Sequence, residues 1–185
     1  MAQKRKNWNG LISGFSASDL VFLDESGCNT DMTRRYAYSF GGSRAVDSTP
    51  LSKPKNTTIL SSIQLNGTLH YTTFSGGTTV ERFKRYLETD LLPHLNGNSV
   101  LIMDNMKSHH ARAVKNLLDS SGIRYIYLPP YSPDLNPIEK LWSKVKAFLR
   151  KFKARTLDAL PNAIQNAFHS VTVSDCSGWF RFCGY

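Results

Sequence analysis

Along the first half of the chain, apolar positions come in short runs and alternations rather than at helical spacing. Leu20-Val21-Phe22-Leu23 is an apolar run ending in Asp24, the pattern of a strand covered on both faces. Arg35 to Phe40 alternates and is rich in aromatic residues, which predicts a second strand with Gly41-Gly42 as its turn. Thr57 to Leu65 and Thr68 to Phe74 flank Asn66-Gly67, a strong hairpin signal, and Gly76-Gly77 closes the returning strand. These segments predict an antiparallel meander beside the Asp24 strand.

The period changes after Thr78-Thr79. Val80, Phe83, Tyr86/Leu87 and Leu91 recur at helical spacing, with a threonine as cap and Pro93 and Asn96-Gly97 as the stop. A strand over 100–103, a helix from Arg112 to Ser120 stopped by Gly122, and a strand over 124–128 follow. The turn from Pro129 to Pro137 leads to a long helix with Ile138, Leu141, Val145, Phe148/Leu149 and Phe152 on one face. A last helix covers about Leu157 to Phe168, and the remainder, closing in SGWFRFCGY, reads as a tail. Residues 1–18 read as an N-terminal tail or lead-in helix and residues 19–185 as one domain. This order predicts an α/β protein whose mixed central sheet, an antiparallel meander plus parallel strands, has helices packed on it. In such sheets ligands collect at the carboxyl ends of strands, where Asp24 and Asp104 both lie.

Composition narrows the partners. The 41% hydrophobic content is that of a globular protein, and no apolar run approaches the roughly 18 residues needed to cross a bilayer. Lys4, Arg5 and Lys6 are not followed by a signal-peptide core, so the expected place is the cytoplasm. Cys28, Cys176 and Cys183 contain no C-x-x-C pair, which argues against a disulfide framework and a structural zinc site. Net charge is +9. Lys140, Lys144, Lys146, Arg150, Lys151, Lys153 and Arg155 follow one another without an acidic residue between them. A stretch so biased attracts a polyanion, and nucleic acid is the expected partner. An ordinary solvated helix face would interleave acids with bases.

Carboxylates at the ends of neighbouring strands repel one another, and a divalent cation relieves that repulsion. Mg²⁺ and Mn²⁺ prefer oxygen ligands. The helix after Pro137 would bring Glu139 to the two aspartates. Plainer readings stand beside this one. Asp104 and Asp24 could each cap a turn, and Glu25 could be the functional acid, since consecutive strand residues point to opposite faces. With Asn136 as N-cap and Pro137 first in the helix, Glu139 falls where a capping-box glutamate belongs. Trp142, one turn beyond, reads as packing rather than base stacking.

FLDESG (22–27), TRRYAY (33–38), MDNMKSHH (103–110) and LPPYSPDLNPIEKLW (128–142) resemble the catalytic motifs of DDE-type transposases, most closely the bacterial insertion-sequence branch of the mariner-like superfamily. The thirty-four residues between Asp104 and Glu139 match that superfamily's spacing. The resemblance implies a ribonuclease-H-like fold, with Asp24, Asp104 and Glu139 as catalytic and metal-binding triad and Mg²⁺ or Mn²⁺, two ions, as cofactor. It implies metal-dependent cleavage at transposon ends, then attack of the freed 3′-hydroxyl on target DNA. Other expectations are a metal-dependent nuclease without strand transfer and a non-catalytic DNA-binding remnant. Asn105, His109 and Asn136 match motif positions and are expected to support the ligands, Asn136 as helix cap and His109 as a hydrogen-bond donor. Arg34, Arg35, Lys140, Lys144, Lys146 and Arg150 are expected on DNA, although Arg34 and Arg35 could equally face solvent or pair with Asp31. The expected partners are double-stranded DNA, a second copy in a homodimer, and an upstream helix-turn-helix polypeptide. Too few residues precede Leu20 for such a module, so the chain is expected to be a catalytic fragment or a split-gene product, working at the nucleoid of a bacterial cell.

Overall fold

The computed structural model describes residues 2–34, 36–51 and 54–185. Its sheet is built from β1 (Leu20–Cys28), β2 (Thr57–Gln64), β3 (Leu69–Ser75), β4 (Val100–Met103) and β5 (Arg124–Tyr127). They lie in the order β3-β2-β1-β4-β5. β1 pairs antiparallel with β2 and β2 with β3. β4 runs parallel to β1 and β5 parallel to β4. The mixed sheet read from the residue pattern is therefore present.

Alternation along the two central strands explains why their apolar runs are unbroken. Leu20, Phe22, Val100 and Ile102 face one core, with Ile138, Leu141 and Val145 of α4 (Ile138–Phe152), Ile164 of α5 (Ala159–His169) and Phe180 of α6 (Val173–Cys183). Val21, Leu23, Leu101 and Met103 face the other, with Phe83 and Tyr86 of α2 (Val80–Tyr86) and Val114 and Leu118 of α3 (Arg112–Ser121). A strand with helices on both sides has no polar face to show.

The N-terminal helix α1 (Ala2–Ile12) buries Trp8 and Ile12 in the first of these cores. Trp8 Nε1 donates to the Tyr185 hydroxyl (3.2 Å), which donates to the Leu135 carbonyl (2.7 Å). The two chain ends thus clasp the turn that precedes α4. The hairpin turn closes through Gly67, whose φ of 87° favours glycine. A Cβ there would also stand 3.0 Å from Val173 Cγ2.

Three sequence expectations fail. Among the described residues, 36–40 form no strand; Tyr36, Tyr38 and Phe40 are almost fully exposed, and the segment ends in the turn Phe40–Gly42. Aromatic alternation without a neighbouring strand to pair has nothing to pack against. Phe152, expected on the apolar face of α4, is exposed, because the buried stripe of that helix ends at Leu149 and Lys153 turns the chain away in a left-handed conformation. The closing residues are a helix, α6, started by a capping box in which Thr172 and Asp175 serve each other's backbone N–H groups.

Candidate active site

The register fixes the site. β4 ends at Met103, opposite Leu23, while β1 continues to Cys28 against β2 alone. From Asp24 onward the β4-facing edge of β1 is therefore free, and Asp104 leaves β4 beside it. A cavity of about 580 Å³ opens off this edge; Asp24, Glu25, Asp104, Asn105, Asn136 and Glu139 are among its lining residues, with the Leu128–Pro133 turn as its far wall. Asp24 and Glu25 both border it, although alternation alone predicts that only one of them would. Alternation decides which face of a sheet a residue meets, and here the sheet has run out on one side.

Each carboxylate is held differently. Asp24 is buried; its Oδ1 accepts from the Glu25 N–H (2.8 Å) and its Oδ2 from Trp142 Nε1 (3.2 Å). Burial, reinforced by the Asp104 and Glu139 charges, pushes its pKa up to about 7. Asp104 Oδ1 accepts from the Met106 N–H (2.9 Å) and lies 2.8 Å from His109 Nδ1. Burial works to raise the Asp104 carboxyl, but the His109 and Met106 hydrogen bonds outweigh it and hold it below its usual value. His109 is wholly buried, stacked on Phe83 at 4.2 Å, with Nε2 at 3.2 Å from Glu25 Oε2. Burial disfavours the charged ring, yet the two carboxylates overcome it and lift the His109 pKa to about 9. As an imidazolium it donates to both, tying the free edge of β1 to the residue that follows β4.

The α4 start differs from the sequence expectation. Pro137 is already helical, no side chain caps the helix, and the Asn136 Oδ1 is buried without a hydrogen-bond partner. Glu139 forms no capping box; its backbone N–H is bonded to the Asn136 carbonyl (3.1 Å), and the residue is exposed in the cavity wall. Asn105 pins the far wall instead, donating from Nδ2 to the Leu128 carbonyl (2.6 Å).

The basic stretch divides in two. Residues seven and eleven apart on a helix share a side, which puts Lys146 and Arg150 on the Glu139 stripe. Lys140 and Lys144 fall on another and are engaged there. Lys140 Nζ sits 3.9 Å from the Phe182 ring centre, and Lys144 Nζ pairs with Asp175 Oδ2 at 2.5 Å. Lys153 pairs with Asp47, and Arg155 donates to the carbonyls of Thr30 and Met32. Lys140 and Lys144 thus do not present the free cationic face expected of them. The missing acidic neighbours are supplied by α6 and by the segment after β1. Arg34 lies in a separate hollow with Tyr36, Asp47 and Lys153, not in the carboxylate cavity; Arg35 lies outside the described residues.

Two residues of the site escaped the sequence reading. Trp142 is buried as packing predicts, but its indole N–H also holds Asp24, so α4 fixes two of the three carboxylates. Tyr131, with φ 55° and its ring exposed at the cavity rim, holds a conformation unusual for a bulky residue.

The cavity offers hard oxygen donors: the carboxylates of Asp24, Asp104, Glu139 and Glu25, whose Oε1 is buried without a partner, and the Asn136 Oδ1, likewise buried and unpartnered. An unpartnered buried oxygen costs about 1–3 kcal/mol, and an oxygen-preferring divalent cation fits such a set. Among the described residues no group of three or more His, Cys, Asp or Glu side chains is arranged to hold a metal ion by itself. No helix among them is long and apolar enough to cross a membrane.

A mixed sheet in this order, with carboxylates converging from β1, β4 and α4, defines a ribonuclease-H-like domain. Residues 19–161 match the family described as DDE superfamily endonuclease, and the chain belongs to that family. The Transposable element Tc1 transposase of Caenorhabditis elegans is 28% identical over 97 residues, covering 50% of this chain and 36% of that protein. In fold the chain is similar to a pre-cleavage Mos1 transpososome, with a TM-score of 0.81 at 18% identity, over 98% of this chain and 57% of that one. It is likewise similar to the Mos1 transposase catalytic domain solved with raltegravir and Mg, with a TM-score of 0.73 at 18% identity, over 97% of this chain and 88% of that one. The chain thus spans little more than half the length of the transpososome chain.

Proposed function

We propose that this chain is the catalytic domain of a DNA transposase, residues 19–185 with α1 as lead-in, cleaving phosphodiesters at transposon ends and joining the freed 3′-hydroxyl to target DNA. The observation that carries this reading is the meeting of Asp24, Asp104 and Glu139, far apart in sequence, in one cavity. These three residues would hold Mg²⁺ or Mn²⁺. Two such ions, when bound, activate an oxygen nucleophile and stabilise the leaving oxygen of a phosphodiester. The protein's own part is placement. Trp142 holds Asp24, the His109 imidazolium orients Asp104 against Glu25, and Asn105 fixes the turn opposite. Lys146 and Arg150, on the Glu139 stripe of α4, meet the phosphates of double-stranded DNA entering the cavity. Arg34, in the hollow it shares with Tyr36, Asp47 and Lys153, is assigned to DNA phosphates outside the cavity; Arg35 is assigned to DNA phosphates from its sequence motif alone.

A homodimer holding two ends is supported by the exposed Tyr36, Tyr38, Phe40, Val46 and Leu51 between β1 and β2, more large apolar side chains than one exposed segment needs by itself. Recognition of particular end sequences is assigned to a helix-turn-helix module outside these residues, in keeping with the greater length of the relatives. The bacterial likeness of YSPDLNPIE supports action on chromosomal DNA in a bacterial cytoplasm.

The test is end joining. An oligonucleotide with a precut transposon 3′ end, incubated with the protein, Mn²⁺ and a target plasmid, should become covalently linked to the plasmid. Plasmid nicking without any joining would replace this reading with that of a plain nuclease.

A further inference from the structure

We infer that Asn136 is itself a ligand, its Oδ1 supplying a neutral oxygen to a divalent cation held by the carboxylates of the cavity. The inference rests on the metal-dependent reading above. Asn136 is 4% exposed and lines the cavity, yet its Oδ1 has no partner. Buried amide oxygens are almost always bonded, and this one sits beside backbone N–H groups at a helix start that a capping asparagine would use. It does not use them. Its backbone is fixed, the N–H bonded to the Pro133 carbonyl (3.1 Å) and the C=O to the Glu139 N–H (3.1 Å), and Tyr185 clamps Leu135 just before it. The amide oxygen is therefore held at the cavity without a partner in the fold.

The chemistry of that wall points to a cation. Glu25, lining the same cavity, likewise has a buried, unpartnered Oε1. Mg²⁺ and Mn²⁺ take several oxygen ligands, and amide oxygens are hard, neutral donors suited to them. A neutral ligand also adds no further negative charge beside Asp24, Asp104 and Glu139.

A ligand and a structural residue answer differently to removal of the oxygen. Replacing an unpartnered buried oxygen by an apolar group of similar shape is neutral or stabilising in the metal-free protein. Mn²⁺ titrations without DNA, followed calorimetrically, should be run on wild type, Asp104→Ala, Asn136→Leu and Asn136→Asp, with thermal unfolding of each in EDTA. Expected are Mn²⁺ binding by wild type and its loss in Asp104→Ala. Asn136→Leu should bind Mn²⁺ at least about tenfold more weakly while unfolding in EDTA at or above the wild-type temperature, and Asn136→Asp, which keeps an oxygen, should retain affinity. Wild-type affinity in Asn136→Leu overturns the assignment and leaves the metal site standing. Unchanged affinity with a lower EDTA midpoint in both variants makes the amide a structural residue. A wild type that binds no Mn²⁺ overturns both readings together.

Discussion

Asp24 carries a cost that the metal-free protein cannot avoid. Its carboxyl is raised from its ordinary value near 3.8 to about 7 by burial and by its two acidic neighbours. The folded state therefore binds a proton that the unfolded chain gives up at lower pH. Its contribution to stability is full below about pH 4 and is lost as pH rises through 7, by at most about 4 kcal/mol. His109 works in the same direction at higher pH, since its pKa is lifted to about 9, so its contribution is present below about pH 6.5 and lost as pH rises through 9. Thermal unfolding in EDTA should show a midpoint that falls from pH 5 to pH 9, and Asp24→Asn should flatten the part below pH 7. A midpoint that rises with pH, or an unchanged profile in Asp24→Asn, would remove this account of the carboxylate. Little of this electrostatics was legible in the sequence. The acids themselves stood out at strand ends and in family motifs, but the Trp142 N–H that holds Asp24 did not. A tryptophan on an apolar helix face announces packing, and only the packed structure shows where its single donor ends.

At the scale of elements, α4 is the part whose sequence signal was strongest and whose reading changed most. Its amphipathic face was plain in sequence, and Ile138, Leu141, Val145 and Leu149 of that face are buried. Its run of basic residues suggests one DNA-binding surface, yet Lys140 and Lys144 are engaged by α6, a helix whose residues read as a tail in the sequence. Thr172-x-x-Asp175 was the available signal for that helix. Lys146 and Arg150, on the Glu139 stripe, are the cations proposed to meet DNA at the cavity. Lys146→Ala with Arg150→Ala should weaken binding across DNA sequences and lower the salt dependence by roughly one counterion per residue removed. Lys144→Ala should leave the salt dependence unchanged and lower stability only slightly, by about 1 kcal/mol or less, as for a partly exposed ion pair. Equal effects of the two changes on the salt slope would restore the single basic face. The aromatic stretch from Tyr36 to Phe40 misled for a related reason: strand propensity reports a side chain's fit to a packed sheet, and no strand among the described residues pairs with this stretch.

For the whole molecule, the alternation of apolar residues indicated strands and their two buried faces, but not which strands are neighbours. The order β3-β2-β1-β4-β5 matters because it sets β4 beside β1 with Asp104 just past the end of the pairing. That register, rather than any single residue, opens the edge from which the cavity is formed. The clasp of Trp8, Tyr185 and Leu135 was equally hidden, since it joins residues at opposite ends of the chain. It secures the turn from which Asn136 and Glu139 enter the cavity. The account stands on the claim that these converged carboxylates form one metal-dependent cleavage centre. Its most direct test is nicking of supercoiled DNA bearing transposon ends by wild type and by Asp104→Ala, with Mn²⁺ and with EDTA. Nicking by wild type only with Mn²⁺, slowed on the order of a hundredfold or more in Asp104→Ala, is the predicted result. Equal nicking by both proteins, or none by either while both unfold cooperatively at wild-type temperatures, would contradict it.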